Sequence, residues 1–140
     1  MFDQREKQPW PLPGVDTEEV HLETGDYTVK GFEDRFAVDR KSIDDLTKSV
    51  GTDRDRFEAE IRRAQDMAEF VVVIEGTKQD VLDHDYYSQI HPNAVIGTVE
   101  KWPLKYGTLE FIWAGDRKQA GQECLRLLDR WHLLHGTDLF

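Results

Sequence analysis

The sequence predicts an α/β fold with a mixed central sheet flanked by helices, and three observations carry that expectation. Residues 20–29 alternate apolar and polar side chains and 35–40 read as a second strand across a glycine-containing turn, as in an antiparallel pair. Residues 70–74 (FVVVI) and 109–113 (LEFIW) are short apolar runs, as in strands covered on both faces. Segments of helical period lie between and after these runs.

Taken in order, a short strand end at Phe2 and Asp3 leads into a loop marked by Pro9, Pro11, Pro13 and Gly14. Residues 20–29 (VHLETGDYTV) read as a strand bent at Gly25-Asp26. Residues 31–34 form a turn, and 35–40 (RFAVDR) return as the second strand of a hairpin. Ser42 precedes a short helix over 43–50 that Gly51 stops. Thr52 and Asp55 suit a capping box for a helix running to about Glu69, with Phe57, Ile61, Ala64 and Ala68 on its buried face. The strand over 70–74 ends at Glu75-Gly76, and 77–92 is polar with room for one helical turn. A helix over 93–102 and the strand over 109–113 follow. Asp116 opens the last helix, to about His135, whose apolar stripe is Ala120, Cys124, Leu127, Trp131 and Leu134, with Leu125 and Leu128 alongside.

A chain of 140 residues suits one domain, 1–140, with a core of its own. Hydrophobic residues make up 39% and charged residues 33%, which excludes a disordered tail, and no apolar run reaches the length of a membrane span. One cysteine, Cys124, excludes an internal disulfide and a cysteine-based zinc site. With no secretory signal core at the N-terminus, the expected setting is cytoplasmic, in a prokaryote or a phage-like system. The net charge of −10 argues against holding nucleic acid by bulk electrostatics. Nine of the 18 Lys and Arg nevertheless fall within residues 30–63, among them Arg35, Lys48, Arg54, Arg62 and Arg63, a basic band able to face a polyanion.

The span 25–45 (GDYTVKGFEDRFAVDRKSIDD) carries the chemistry. Asp26 sits at a strand bend, and Asp39-Arg40-Lys41 lies across the hairpin from it. Side chains 39 and 41 share a strand face, so two carboxylates and a lysine can converge. Oxygen-only ligands suit Mg²⁺, with Mn²⁺ as a substitute, and both ions bridge to phosphate oxygens. A lysine beside them can orient or deprotonate a water and offset charge on a phosphorane. Taken alone, the same residues also fit a solvated hairpin face with an ordinary surface ion pair.

This is the logic of the PD-(D/E)xK nucleases, and the sequence resembles the nuclease domain of the XPF family of structure-specific endonucleases. The family signature, GD, a gap, ERK, three residues and an Asp, reads here as Gly25-Asp26, Asp39-Arg40-Lys41 and Asp45. Its opening D-x-R-E reads as Asp3-Gln4-Arg5-Glu6, and the Phe57 position, Glu75-Gly76 and the last helix follow in family order. Asp39 replaces the family glutamate.

The resemblance implies a restriction-endonuclease-like fold and a Mg²⁺-dependent DNA endonuclease acting on flapped or branched DNA in repair, recombination or replication. It implies Asp26 and Asp39 as direct metal ligands, Asp3 as a further acid near the metal, and Lys41 as the catalytic lysine. Arg5, Glu6 and Arg40 match positions that shape the site or contact phosphate, and Asp45 matches one that binds a water or arginine side chains. Many family members carry a tandem helix-hairpin-helix module or a helicase; neither occurs in this sequence, so targeting is expected from a separate protein. The alternatives are a non-catalytic DNA-binding or scaffolding subunit and a restriction- or recombination-type nuclease.

A homodimer through the last helix and residues 95–102 is the expected assembly. His84, His91, His132, His135 and Cys124 read as surface or core residues, and Trp10, Tyr86 and Tyr87 as packing residues with base stacking as the lesser reading.

Overall fold

The computed structural model describes residues 2–3, 19–20, 22 and 25–136. Its strands are β1 (Phe2–Asp3), β2 (Glu19–Val20), β3 (Phe36–Ser42), β4 (Glu69–Glu75) and β5 (Leu109–Trp113). Its helices are α1 (Ile43–Val50), α2 (Arg54–Arg63), α3 (Lys78–Leu82), α4 (Pro92–Lys105) and α5 (Arg117–His135). β1 pairs with β2, and β3, β4 and β5 form a sheet in that order, all in parallel. The antiparallel contribution among the described residues is the single bridge Tyr27–Val38, which stands where a full hairpin was expected. At Gly25 the backbone turns into a positive φ of 76°.

The parallel order decides the layering. Both crossovers, β3 to β4 through α1 and α2 and β4 to β5 through α3 and α4, move in the same direction across the sheet. Crossovers of one hand then place all four helices on one face. Phe70, Val72 and Ile74 of β4 point into that layer, with Leu46, Ile61 and Val95 packed above them. Val71 and Val73 point to the other face, which α5 covers with Ala120, Cys124, Leu127, Leu128 and Trp131. β4 is therefore buried on both sides, as its continuous apolar sequence requires.

The cap chemistry at α1 and α5 follows the sequence reading. The Ser42 hydroxyl accepts the Asp45 N–H and starts α1, and Asp116 and Gln119 form a reciprocal capping box on α5. Residues 52–69 depart from it. α2 begins at Arg54 and ends at Arg63, and a 3₁₀ turn over Ala64–Asp66 leads into β4. Asp53 occupies the N-cap position without a side-chain cap bond, because its carboxylate accepts from Arg56 at 2.8 Å. The helix cannot reach Glu69, which is committed to the sheet opposite Phe36, and Ala68 is exposed.

Leu134 also leaves its expected stripe: it is 70% exposed, since the core under α5 ends at Trp131. Trp131 stacks on Phe36 with ring centroids 4.9 Å apart, while its buried indole N–H finds no acceptor among the described residues. Trp131→Ala is expected to lose about 3–5 kcal/mol in urea unfolding. Trp131→Phe keeps the stack and removes the orphaned donor, so its loss should be clearly smaller.

Candidate active site

Functional side chains collect where β3 emerges from the sheet, at the carboxyl end that parallel α/β folds use for ligands. The first four residues of β3 are buried and the last three half-buried, so the strand turns polar as it reaches the surface. Asp39 and Lys41 lie on the face that carries α1, α2 and α4, and Arg40 points to the opposite face. There its guanidinium pairs with Glu75, Nε to Oε1 at 2.9 Å.

Asp39 is 5% exposed, and its Oδ2 has no hydrogen-bond partner among the described residues. Lys41 Nζ stands 3.4 Å from that oxygen as an ion pair and 4.9 Å from the centroid of Phe57 on α2. The charge of Asp39 is the largest influence holding the Lys41 proton more tightly than in a free lysine. Burial opposes it, and the carboxylates of Glu60 and Asp26 reinforce it. Lys41 is thus an ammonium facing three acids at neutral pH.

Asp26 arrives from the bend. Its backbone N–H and that of Tyr27 both donate to Val38 O, at 2.8 and 3.0 Å, and Val38 N–H returns a bond to Tyr27 O. The carboxylate of Asp26 then accepts the Arg40 N–H, at 2.7 Å to Oδ2. Arg40 therefore serves the site through its backbone and the far face through its side chain.

The structure brings together Asp26, Asp39 and Lys41. It adds Glu60, which sequence reasoning missed; only the rotation of α2 against β3 turns Glu60 toward the lysine. Asp45 is exposed in the first turn of α1, its N–H held by Ser42, and beside Asp44 it favours the positive end of that helix. The backbone of Asp3 is placed on β1, while Arg5, Glu6 and Trp10 lie outside the described residues. Among the described residues no three His, Cys, Asp or Glu side chains form a ready-made ion cage. Two carboxylates, one with a buried oxygen lacking a donor, nevertheless fit a hard divalent cation better than any neutral ligand.

The basic band disperses in three dimensions. Arg35 precedes β3 at the end far from Lys41 and lies over the Trp131 ring at 5.8 Å. Lys48 is 3.9 Å from Asp53, and Arg62 is 3.7 Å from Glu58. Arg63 is exposed at the end of α2, and Arg54 packs on Trp102, 4.7 Å from its ring centroid. His91 is structural, because its Nδ1 accepts the Asn93 N–H and so caps α4.

The family model of the ERCC4 domain matches residues 3–123. Among solved structures, XPF from Aeropyrum pernix is similar with a TM-score of 0.72 at 21% sequence identity, a likeness of fold. The match covers 98% of this chain and 62% of that one, so this chain spans less than two thirds of that protein's length. No curated protein sequence matches.

The glycine before Asp26 is set by space as well as by conformation. A Cβ on Gly25 would stand 2.7 Å from Ala37 Cβ and 3.2 Å from Val38 O, at a φ of 76°. Gly25→Ala is therefore expected to lose about 1–3 kcal/mol in denaturant unfolding and to displace the Asp26 carboxylate. A variant with unchanged stability would show that the bend is not packed in this way.

Proposed function

The chain belongs to the ERCC4-domain family of structure-specific nucleases, and from that premise we propose that it is a metal-dependent DNA endonuclease hydrolysing phosphodiester bonds at flapped or branched DNA. The observation that supports this reading most is the buried Asp39 oxygen without a hydrogen-bond donor, placed beside Lys41 in a site that Asp26 also enters. The Lys41 ammonium offsets one negative charge there, while Asp39, Asp26 and Glu60 bring more than one to bear on it, and a divalent cation would balance the remainder. Asp26 and Asp39 are the residues that would hold Mg²⁺ or Mn²⁺, with Asp3 as a further acid. Bound there, the ion supplies a polarised water and neutralises charge on the phosphate.

The chain's own residues complete the chemistry. The Arg40 N–H fixes the Asp26 carboxylate through Oδ2. Lys41 keeps its proton and sets an ammonium where charge develops on the phosphate oxygens, in a partly water-excluded position. The Phe57 ring lies against the lysine ammonium from one side. The intact acid–acid–lysine set favours an enzyme over a scaffolding subunit.

Labelled flap, fork and plain duplex DNA, each with Mg²⁺, test the reading. Cleavage of the flap or fork should stop in EDTA and in Asp26→Ala with the fold retained. Mg²⁺ should also raise the melting temperature of the unaltered protein and not that of Asp39→Asn. Cleavage that persists in EDTA would overturn the proposal.

The assembly we infer is a homodimer along β5. That strand pairs with β4 alone among the described residues, and Phe111, Ile112 and Trp113 remain half-buried on it. α4 and α5 flank it from opposite faces, and their unburied apolar residues are Leu104, 88% exposed, and Leu133 and Leu134, 74% and 70% exposed. Light scattering at micromolar concentration should give a dimer that Leu104→Glu with Leu134→Glu converts to monomer. A strict monomer before substitution would refute it.

A further inference from the structure

The cations of this acidic chain are mostly cancelled where they stand. Asp53 takes Arg56 and lies near Lys48, Glu58 takes Lys105 and lies near Arg62, and Glu100 takes Lys78. Arg54 and Lys101 are exceptions: among the described residues neither has a carboxylate partner, and both line the same groove of about 440 Å³ between α2 and α4. Asn93 and Thr98 add polar groups to its wall, and no acid lines it.

Arg54 is fixed by neutral partners. Its Nη1 donates to Val50 O and Thr98 Oγ1, each at 3.0 Å, and its guanidinium lies on the Trp102 ring. The Thr98 hydroxyl in turn donates to Ala94 O. A half-buried guanidinium held this way is pre-organised with its charge uncancelled and its Nε and Nη2 donors without a protein acceptor among the described residues. Gly97 is a second oddity of the same wall. Glycine weakens a helix interior, yet a Cβ there would meet nothing within 4 Å, so the packing of this chain does not require it.

We propose that this groove is a phosphate-backbone subsite, in which Arg54, Asn93 and Lys101 hold a strand of the DNA substrate to one side of the carboxylates. The inference rests on the nuclease reading above and extends it to residues outside the catalytic cluster. Its position suits the role. Lys41 Nζ lies 4.9 Å from the Phe57 ring, Phe57 lies 5.9 Å from Trp102, and Trp102 lies 4.7 Å from the Arg54 guanidinium. The groove is thus no more than about half a turn of duplex from the catalytic lysine.

Binding of fluorescein-labelled forked and duplex DNA, measured in EDTA over a range of salt concentrations, separates phosphate contacts from cleavage. Lys101→Ala and Arg54→Gln should each reduce the slope of log affinity against log salt by about 0.9. Lys118→Ala, which removes an exposed cation on α5, should leave the slope unchanged. Gly97→Glu has room for its side chain and should lower affinity about tenfold or more without lowering the melting temperature. If Lys101→Ala and Gly97→Glu bind like Lys118→Ala while the unaltered protein binds and cleaves, the subsite is refuted and the nuclease reading stands. If the unaltered protein shows no salt-dependent affinity for DNA, both are refuted together.

Discussion

A carboxylate buried under a helical layer at the end of a parallel strand is the constraint from which the site follows. Asp39 is 5% exposed on the same strand face as Ala37, a core position, so its charge meets a hydrophobic roof rather than water. Burying an ion uncompensated is strongly unfavourable, and the surroundings are built against that penalty. Lys41, two residues on and therefore on the same face, supplies the nearest opposite charge. Asp26 and Glu60 approach that lysine in turn, which leaves an excess of negative charge at one point. The positions of the bend at Gly25, the start of α1 at Ser42 and the rotation of α2 all converge on this one balance.

The parallel sheet makes the balance possible. Because both crossovers lie on one face, α1 to α4 lie over Asp39 and Lys41, and α2 brings Glu60 toward the lysine. Among the described residues the opposite face has α5 and the ion pairs Arg40 with Glu75 and Arg130 with Glu69. Consecutive residues of one strand thereby serve separate purposes: Arg40 anchors the sheet on one side while its neighbours face the chemistry on the other.

Much of this was legible in residue order. The period of a strand put Asp39 and Lys41 on one face, an uninterrupted apolar run marked β4, and Ser42 and Asp116 announced the helices they cap, whereas β5, expected as a buried strand, exposes Glu110 and half-buries Phe111 to Trp113. What was not legible depended on competition or on tertiary rotation. Thr52 and Asp55 form no capping box because the helix starts one residue later, with Asp53 at the N-cap and its carboxylate engaged by Arg56. Among the described residues the hairpin is reduced to the one bridge Tyr27–Val38, next to a Gly25 whose φ is positive. The nearness of Glu60 to Lys41, and of Arg54 to Lys101, arises between segments far apart in the chain, where no spacing rule applies. The basic band was a feature of the sequence that folding redistributed among ion pairs.

The layering bears on the order in which the molecule can be made. Phe36, Val38, Val71 and Val73 face a side that receives its cover from α5, the element after the last described strand. While the chain is being synthesised, the helical roof over Asp39 and Lys41 can assemble as soon as β5 has joined the sheet. The reverse side, against which Tyr27 and Phe32 already lie, lacks the cover of α5 until residues 117–135 have emerged. A nascent sheet with one wetted apolar face is an aggregation hazard, and its exposure lasts as long as translation of that helix takes. Slow codons within the last helix would prolong that interval.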